Sequence, residues 1–459
     1  MTLLSMHPHP RNLVAAAAAL LLAGCASFSP DGGFGAVGEM TKARTGQTPA
    51  YQRTPQDTDN ARQRVDELLQ QPLTADSAVE IALLNNRGLQ ARFGELGIKE
   101  ADRVRAGRLH NPSFSFGRLS GGGNVEIDRA VLFDVLGLLT LPAAARFERE
   151  GFEQAQLQAA ADAVGVATDT RRAFFSAVAA QELVRYFGQV QDAADASSEL
   201  AQRMLAAGNF SKLAQMREQA FHADATAQLA RVKQQVVVER ERLTRLLGLS
   251  GAQLAFTLPE RLPDLPPEPP ASQATEQTAM DTRLDVLMAK RSAASAAQSL
   301  GLTRTTRMVN VLNAGYQNKS QRGEPRQNGY EIELELPLFD FGATRVARAE
   351  AVYMQTVHHA AEVGLNAQSE VRESTAAYRS AFDLARHYRD EVVPLRKRIS
   401  EENLLRYNGM LISVFELLAD AREQVTSVTG YVEALRDHWI AQTHLQAALA
   451  GATPTEIRP

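Results

Sequence analysis

The chain of 459 residues contains a single cysteine, Cys25, which excludes an internal disulfide. Aromatic residues make up only 6% of the sequence, and 49 basic residues nearly balance 53 acidic ones, so nothing indicates a nucleic-acid partner. No Gly-x-Ser-x-Gly motif and no phosphate-binding loop occurs. His358-His359, the only histidine pair, cannot share a metal because adjacent helical residues project about 100° apart. We therefore expect no enzyme, no metal site and no bound cofactor.

The N-terminus has the pattern of a secretion signal. Arg11 precedes an apolar run, Leu13 to Ala23, which is too short to cross a bilayer as a helix. The stretch Leu22-Ala23-Gly24-Cys25 resembles the lipobox of bacterial lipoproteins, in which the cysteine is acylated and becomes the mature N-terminus. We expect a signal peptide over 1–24 and a covalent lipid such as palmitate on Cys25. The alternative is an ordinary secretion signal with an incidental cysteine.

The rest of the chain predicts two similar halves. An extended lead-in is expected over 25–72, and a helix begins near Thr74, where Leu73-Thr74-Ala75-Asp76 supplies a capping signal. The first repeat, 73–257, contains alternating strands at about 111–120 and 124–134 and a long helix at 143–207. A proline-rich linker, 258–271, leads to the second repeat, 272–450, with strands at about 307–318 and 329–337 and a long helix at 343–408. A short tail, 451–459, follows.

The spacing of the helix ends indicates an internal duplication. Gly208 and Gly409 are expected to end the two long helices at equivalent positions. Pro394 lies inside the second long helix and is expected to bend it or to open one hydrogen bond.

The strand Tyr330–Leu336 has a strict period of two. Tyrosine and aliphatic side chains fall on one face and carboxylates on the other, which suits a sheet with lipid on one side and water on the other. Phe114, Phe116 and Tyr330 suit a lipid-facing or interfacial band, although sheet packing explains them equally well. The acids expected to line a lumen, or simply to face water, are Glu126, Asp128, Glu331, Glu333 and Glu335.

Residues 73–450 resemble the outer-membrane efflux factors, the TolC-type channels, in their lipoprotein branch. The matching motifs are Leu73-Thr74 with Asn85-Asn86-Arg87-Gly88-Leu89-Gln90-Ala91, Asn111-Pro112-Ser113, and Leu336-Pro337-Leu338-Phe339-Asp340-Phe341-Gly342 followed by Arg345 and Arg348. The resemblance implies a mainly α fold with a small β part: an internally duplicated, long-helix α-barrel in the periplasm and a transmembrane β-barrel, to which each of three chains gives four strands. The first half departs from the family at Leu138–Ala143, where many relatives carry a glycine-arginine pair. The resemblance therefore does not fix the geometry of the connection between the strand and the long helix in the first half.

The resemblance also assigns the two helix ends as tips that dock a periplasmic adaptor protein. These tips are Gly208, Asn209, Phe210 and Ser211, and Gly409, Met410, Leu411, Ile412 and Ser413. On sequence alone the same residues are equally well explained as helix-helix turns. Glu416 and Asp420, four apart on one helix, lie where relatives carry the acids of a tip gate. The alternative is a solvated helix face.

The resulting expectation is a homotrimeric outer-membrane channel, lipid-anchored, that receives substrate from an inner-membrane pump, a proton-driven transporter, through the adaptor. The alternatives are a type I protein-secretion duct and a non-pore structural periplasmic lipoprotein. The alternating strands argue against the last, because a spacer has no use for them.

Overall fold

The computed structural model of the protein describes residues 27–268, 276–309, 311–335 and 337–452, so Cys25, the signal and most of the tail lie outside the described residues. The chain divides into two compact units. One contains the residues up to Ala36 with Gly94–Gln158 and Leu287–Val363, and includes the whole sheet. The other contains Val37–Phe93, Ala159–Val286 and the residues from Gly364 onward. No helix of the described residues is long and apolar enough to cross a membrane.

The two halves of the chain share one order of elements, apart from two additional helices at the start of the first half. The first half contains α1 (Phe34–Thr45), α2 (Pro55–Leu68), α3 (Ala75–Asn85), α4 (Arg87–Ala106), β1 (Ser113–Gly121), β2 (Asn124–Asp134), α5 (Val135–Ala206), α6 (Lys212–Leu247) and a short 3₁₀ turn (Gly251–Ala255). The second half contains α7 (Glu276–Thr282), α8 (Leu284–Thr305), β3 (Val311–Gln321), β4 (Gln327–Glu335), α9 (Ala343–His387), a π-helical turn (Tyr388–Val392), α10 (Val393–Asn408) and α11 (Val414–Ala450). In each half a short helix pair, a hairpin and a long helical hairpin follow one another, as the predicted duplication requires.

The expectation of an extended lead-in over 25–72 is wrong, because α1 and α2 lie within it. Thr54 begins α2 with a reciprocal capping box: its hydroxyl accepts from the Asp57 N–H, and its own N–H donates to the Asp57 carboxylate. Pro55 occupies the first helical position, where a missing N–H costs nothing. The charged surface of α2 concealed this helix in the sequence, since only Ala61 and Val65 of it are buried.

The helix predicted to begin near Thr74 is followed directly by a second one. It begins as predicted, since Thr74 caps α3, but Asn86 adopts an extended conformation and separates α3 from α4. The amides of Asn85 and Asn86 donate to the carbonyl oxygens of Leu246, Leu247 and Gly248 at the end of α6, over 2.8 to 3.0 Å. The break therefore satisfies carbonyl groups that the end of α6 leaves unpaired.

The first long helix begins at Val135, eight residues before the predicted start at 143. Asp134 caps it by accepting from the Gly137 N–H at 2.6 Å. Pro142 lies within the helix rather than before it, so it did not mark the start. The Asp134 carboxylate also lies 2.6 Å from the His110 ring, which ties the approach to β1 to the first turn of α5. This pair lies just before Leu138–Ala143, the segment where the first half departs from the family pattern.

The four strands form one antiparallel sheet in the order β1-β2-β3-β4. Strand β2 has its predicted bounds, whereas β1 and β3 both begin and end later than predicted. Strand β4 begins and ends earlier than predicted, and Leu336 lies outside the described residues. The register pairs Phe114 with Val131, Val131 with Tyr316, and Tyr316 with Tyr330. Strands β1 and β4 are left as the two edges.

The second long helix is interrupted, as Pro394 predicts. A π-helical turn at Tyr388–Val392 precedes the proline, and the Val393 N–H donates to the Tyr388 carbonyl instead of forming an α-helical bond. A π-helical turn next to a proline accommodates the loss of the backbone hydrogen bond that the proline cannot donate. The predicted helix 343–408 is therefore α9, the π-helical turn and α10.

The core of the second unit packs helices from both halves around aromatic and aliphatic side chains. Its fully buried members include Phe174, Val178, Leu243, Leu247 and Phe382. Equivalent glycines end the last helix of each half in a left-handed conformation, Gly248 at φ 66° and Gly451 at φ 71°. A side chain at Gly248 would collide with the Asn85 carbonyl oxygen, and a side chain at Gly451 would collide with Asp285 and Arg283. In both halves, therefore, the glycine that ends the last helix packs closely against the break between the first two helices of the repeat.

The linker between the halves is held against the helices. Its Leu262 N–H donates to Glu182 of α5, and the indole of Trp439 in α11 donates to the Pro263 carbonyl at 3.1 Å. Arg389 of the π-helical turn donates to the Leu265 carbonyl at 3.2 Å. The linker is thus held against the helices as far as its last described residue, Glu268.

Candidate functional site

The sheet brings the five predicted lumen acids to one face. Directly paired residues of antiparallel strands share a face, and the register therefore joins the acids of β2 to those of β4. These acids are Glu126, Asp128, Glu331, Glu333 and Glu335. Lys319 forms an ion pair with Glu126, and the Asn313 amide donates to Glu333 at 2.8 Å, both on this face. The acids of this face are accompanied by a few apolar side chains, Leu119 opposite Glu126 and Leu132 among them.

The opposite face of the sheet is apolar and uncovered. Its apolar side chains include Phe114, Phe116, Val131, Phe133, Leu312, Ala314, Tyr316, Tyr330, Ile332 and Leu334. Tyr330 is 85% exposed and Ile332 is 64% exposed, although both would normally be buried in a soluble sheet. Nothing among the described residues covers them. A surface of this size calls for an apolar partner outside the chain.

The apolar face changes character toward the hairpin turns. The Tyr316 hydroxyl donates to Asn328 at 2.6 Å, and Arg129 donates to Asn318 at 3.0 Å. Asn318 and Asn328 are themselves joined at 2.7 Å. The tyrosines therefore lie at the border between an apolar band and a hydrogen-bonded polar rim. This order is typical of a sheet that passes from hydrocarbon to water.

The first predicted docking tip is a glycine-ended turn. Gly208 adopts φ 74°, and the N–H groups of Gly208 and Asn209 close the end of α5 by donating to the carbonyls of Leu205 and Met204. Ser211 then caps α6 by accepting from the Ala214 N–H at 3.1 Å. Phe210 is half-buried in the turn.

The second tip repeats these bonds but not the position of the glycine. Met410 and Leu411 donate to the carbonyls of Tyr407 and Arg406, and Ser413 caps α11. The left-handed residue is Met410, at φ 59°, whereas Gly409 has φ −81°. The expectation that Gly208 and Gly409 occupy equivalent positions is therefore wrong by one residue, because the equivalent of Gly208 is Met410. Met410 is 93% exposed, Leu411 is also exposed, and Ile412 is half-buried.

The two acids assigned to a tip gate have different surroundings. Glu416 is exposed in the first turn of α11, whereas Asp420 is only 8% exposed. One oxygen of the Asp420 carboxylate has no hydrogen-bond partner among the described residues. Glu416 and Asp420 therefore lie on the same helix, but Glu416 is exposed and Asp420 is buried.

A polar cluster that the sequence analysis missed lies on the neighbouring helices. Glu218 of α6 is buried, accepts from the Ser197 hydroxyl of α5 at 2.8 Å, and pairs with Arg422 of α11 at 3.0 Å. The Arg422 guanidinium also lies over the Phe221 ring, 4.5 Å from its centroid. The cluster links the helices that follow the two tips. A signal was available, since Glu218 occupies a buried position at helical spacing from Ala225 and Val232.

Buried His438 was also missed. It has no exposed surface, lies between the rings of Tyr378, Phe382 and Trp439, and neither ring nitrogen has a partner among the described residues. Burial lowers the pKa of His438 to about 4. The histidine is therefore neutral at pH 7. His358 and His359 are exposed, and in the described part of the chain no three His, Cys, Asp or Glu side chains converge as metal ligands.

No protein-family profile matches the chain, and no curated protein does. Solved structures match it over most of its length. The MtrE outer membrane channel of Neisseria gonorrhoeae, in its open state, shares 14% identity over 83% of this chain and 90% of its own, with a TM-score of 0.69. The CmeC outer membrane channel of Campylobacter jejuni shares 14% identity over 89% and 90%, with a TM-score of 0.64. The outer membrane protein VceC of Vibrio cholerae shares 16% identity over 86% and 97%, with a TM-score of 0.63. These likenesses confirm the TolC-type fold expected from the sequence.

Proposed function

We propose that the chain is one subunit of a trimeric outer-membrane channel, the passive exit duct of a tripartite efflux system. In this proposal it receives substrate from an inner-membrane pump, a proton-driven transporter, through a periplasmic adaptor, and it catalyses no reaction. The observation that carries the proposal is the sheet with one acidic face and one exposed apolar face. Similar folds in MtrE and CmeC belong to outer membrane channels.

The sheet has the dimensions that the proposal needs. Its strands are 9 to 11 residues long, which is the length of a tilted strand across the hydrocarbon layer. A four-stranded sheet alone would leave two open edges in lipid, where unpaired backbone groups cost several kcal/mol each. Three copies joined through β1 and β4 would form a closed wall of twelve strands. The acidic face would then line the lumen, and the apolar face would meet lipid.

The two tips supply the adaptor-docking surface in this proposal. Exposed apolar side chains at Met410 and Leu411 offer contact area for a helical partner, and Gly208 to Ser211 and Gly409 to Ser413 hold the turns in shape. Glu416, exposed beside the second tip, supports a gate that attracts cations when three copies bring its carboxylates together. Asp420 completes the pair on the same helix but is buried in the single chain.

The lipid anchor is proposed from the sequence around Cys25. Acyl chains on one residue, each buried methylene adding about 0.8 kcal/mol, would hold the mature N-terminus at the outer membrane. Mass spectrometry of the purified mature protein tests this directly. We expect an N-terminal Cys25 with acyl chains, and cleavage elsewhere or an unmodified thiol would refute the anchor. Since the sheet is itself an anchor, Cys25→Ser behind a cleavable signal should keep partial function.

The channel is tested by recording from the purified full-length protein in planar bilayers. We expect unitary conductance steps with cation preference from a particle that runs as a trimer before heating. A protein that forms trimers without conductance, or conducts without cation preference, would contradict the assignment of the acidic face to the lumen. Efflux is tested separately, by dye accumulation in cells that carry the pump and adaptor with or without this chain.

A further inference from the structure

The exposed side of helix α5 changes from apolar to basic over its first turns. Leu138 is 50% exposed and Leu139 is 68% exposed, and Arg146 and Arg149 are exposed further along the helix. With Pro142 between them, these residues follow the spacing of three and four that places side chains on one helix face. The face, the α5 stripe, therefore has leucines near the sheet and arginines away from it.

The two arginines of the stripe have no acidic partner in the part of the chain that the structure describes. Acids do occur nearby on the same helix, but they are engaged with α8. Glu150 accepts from the Gln298 amide at 2.7 Å, and Glu153 forms an ion pair with Arg291. The positive charge of the stripe is therefore available to an anion outside the chain.

A groove lies beside the stripe, between α5 and α8. It has a volume of about 460 Å³, and its lining combines the apolar side chains of Ala143, Phe147 and Leu302 with the guanidinium of Arg146. Gly301 keeps the α8 side open, since nothing lies within 4 Å of the place where a Cβ would stand. Apolar lining with one convergent charge is typical of a site for an amphiphilic ligand.

The position of the stripe relative to the sheet indicates which amphiphile is available. Strand β2 leads directly into α5 at Val135, and Phe133 belongs to the exposed apolar face of the sheet. Arg146 follows Val135 by 11 residues, which is about 16 Å along the helix axis. Helical side chains tilt toward the N-terminus, so the Arg146 guanidinium reaches back toward the sheet. The headgroup layer of a bilayer begins where the hydrocarbon ends and is about 5 to 8 Å thick on each side.

We propose that the α5 stripe and its groove bind an anionic phospholipid from the leaflet that faces the periplasm. The lipid phosphate contacts Arg146 and Arg149, and a hydrocarbon chain packs against Phe147 and runs toward Leu138 and Leu139. Basic side chains next to an apolar surface are the usual receptor for anionic headgroups. The site rests on the proposed function, because it needs the sheet to lie in a membrane, and it adds a preference among the lipids around the channel.

Tryptophan fluorescence tests the site, because Trp439 is the only tryptophan of the chain. In a Trp439→Phe background, Phe147→Trp places the reporter in the groove, and Leu139→Trp is a second reporter on the stripe. Tyr330→Trp places it on the apolar face of the sheet. Each full-length protein is reconstituted in phosphatidylcholine vesicles that contain brominated phosphatidylglycerol or, at the same fraction, brominated phosphatidylcholine. Bromine quenches tryptophan only at short range, so quenching reports which lipid lies beside the reporter.

We expect both stripe reporters to be quenched, with a relative association constant that favours phosphatidylglycerol about thirtyfold. The estimate follows from two arginines, each of which strengthens binding to an anionic lipid by about a factor of five. Arg146→Gln combined with Arg149→Gln should abolish the preference. Arg62→Gln is the matched control and should keep it, because Arg62 is exposed on α2, away from the stripe.

Tyr330→Trp separates the failure of the site from the failure of the proposed function. Quenching at Tyr330→Trp without a preference for phosphatidylglycerol at Phe147→Trp and Leu139→Trp overturns the lipid site and leaves the sheet in the membrane. A stripe that faces the lumen gives this result, with neither lipid quenching its reporters. A preference that survives the double glutamine variant also overturns the site, since other cations would then hold the headgroup. Absence of quenching at Tyr330→Trp overturns the membrane position of the sheet and the site together.

Discussion

At the scale of single residues, the second tip depends on a methionine in a conformation that favours glycine. Met410 takes the place that Gly208 takes in the first tip, with the same pair of backbone hydrogen bonds around it. A side chain in the left-handed region costs about 1 kcal/mol. The turn itself therefore gains nothing from a methionine, whereas its exposed side chain is available for the proposed adaptor contact.

Met410→Gly should stabilise the second tip by about 1 kcal/mol, because glycine adopts positive φ without strain. Gly208→Ala should weaken the first tip by a similar amount. Hydrogen exchange at the amides of Leu411 and Asn209 measures each turn separately. Gly409→Ala is the control and should change exchange little, since Gly409 has negative φ. Equal losses of hydrogen-exchange protection from Gly409→Ala and Gly208→Ala would contradict the assignment of Met410, rather than Gly409, as the left-handed residue of the second tip.

His438 should make the stability of the protein depend on pH. Its pKa is about 4 in the folded chain and about 6.5 when unfolded, so the unfolded state binds more protons between these values. The contribution of the buried, neutral histidine to the free energy of unfolding is complete above pH 6.5. It decreases by about 3 kcal/mol as the pH falls toward 4. Urea unfolding at pH 7 and pH 4.5 should show a smaller loss for His438→Leu than for the parent. His359→Leu, at an exposed site, should lose as much as the parent.

The residues that the sequence analysis missed are those whose role depends on distant parts of the chain. Glu218, Ser197 and Arg422 come from three helices, and no spacing rule relates them. The same holds for Arg283, fully buried between Asp285 and Glu370, whose hydrogen bonds raise its pKa although burial alone would lower it. Local signals such as Thr74 and Ser211 were readable because a cap lies within three residues of its acceptor or donor.

At the scale of elements, the strands were predictable because their period of two is visible within each strand. The faces of β4 follow directly from alternation, and the register then extends them across all four strands. Helix starts were less predictable. The first long helix was expected to start at 143, but Asp134 caps it so that it begins eight residues earlier, at Val135. Helix α2 of the lead-in escaped detection because polar residues dominate it.

Arginine at Ile332 should impair assembly in the membrane, since a cation on the lipid face of a strand costs about 2 to 4 kcal/mol near the midplane. Arginine at neighbouring Glu333 should be tolerated and should shift ion selectivity toward anions. Heat-modifiable trimers in outer-membrane fractions measure assembly, and reversal potentials in bilayers measure selectivity. Equal tolerance at both positions would mean that the two faces are wrongly assigned.

At the scale of the whole molecule, the duplication joins two hairpins whose tips carry different charge. Only the second tip has an exposed acid in the first turn of the following helix, Glu416. In a trimer this difference would give three acidic and three non-acidic tips. Any cation site at the tips would then have threefold rather than sixfold symmetry.

Replacing both Glu416 and Asp420 with alanine should weaken block by divalent cations and raise conductance in a planar bilayer, because clustered carboxylates bind multivalent ions. Glu416→Ala alone should produce most of the effect, and Asp420→Ala alone little, since Asp420 is buried. A double variant that conducts and blocks like the parent would remove the gate assignment. An Asp420→Ala effect as large as that of the double variant would reverse the ranking of the two acids.

The π-helical turn at Tyr388–Val392 makes the two halves mechanically unequal. The first long helix, α5, contains Pro142 near its start but has no π-helical turn, whereas its counterpart has a defect next to Pro394 where fewer backbone bonds resist bending. A beam under load bends where its stiffness is least. A force that a docked partner applies to the tips would therefore be distributed along α5. In the second long helix the same force would be concentrated at the π-helical turn.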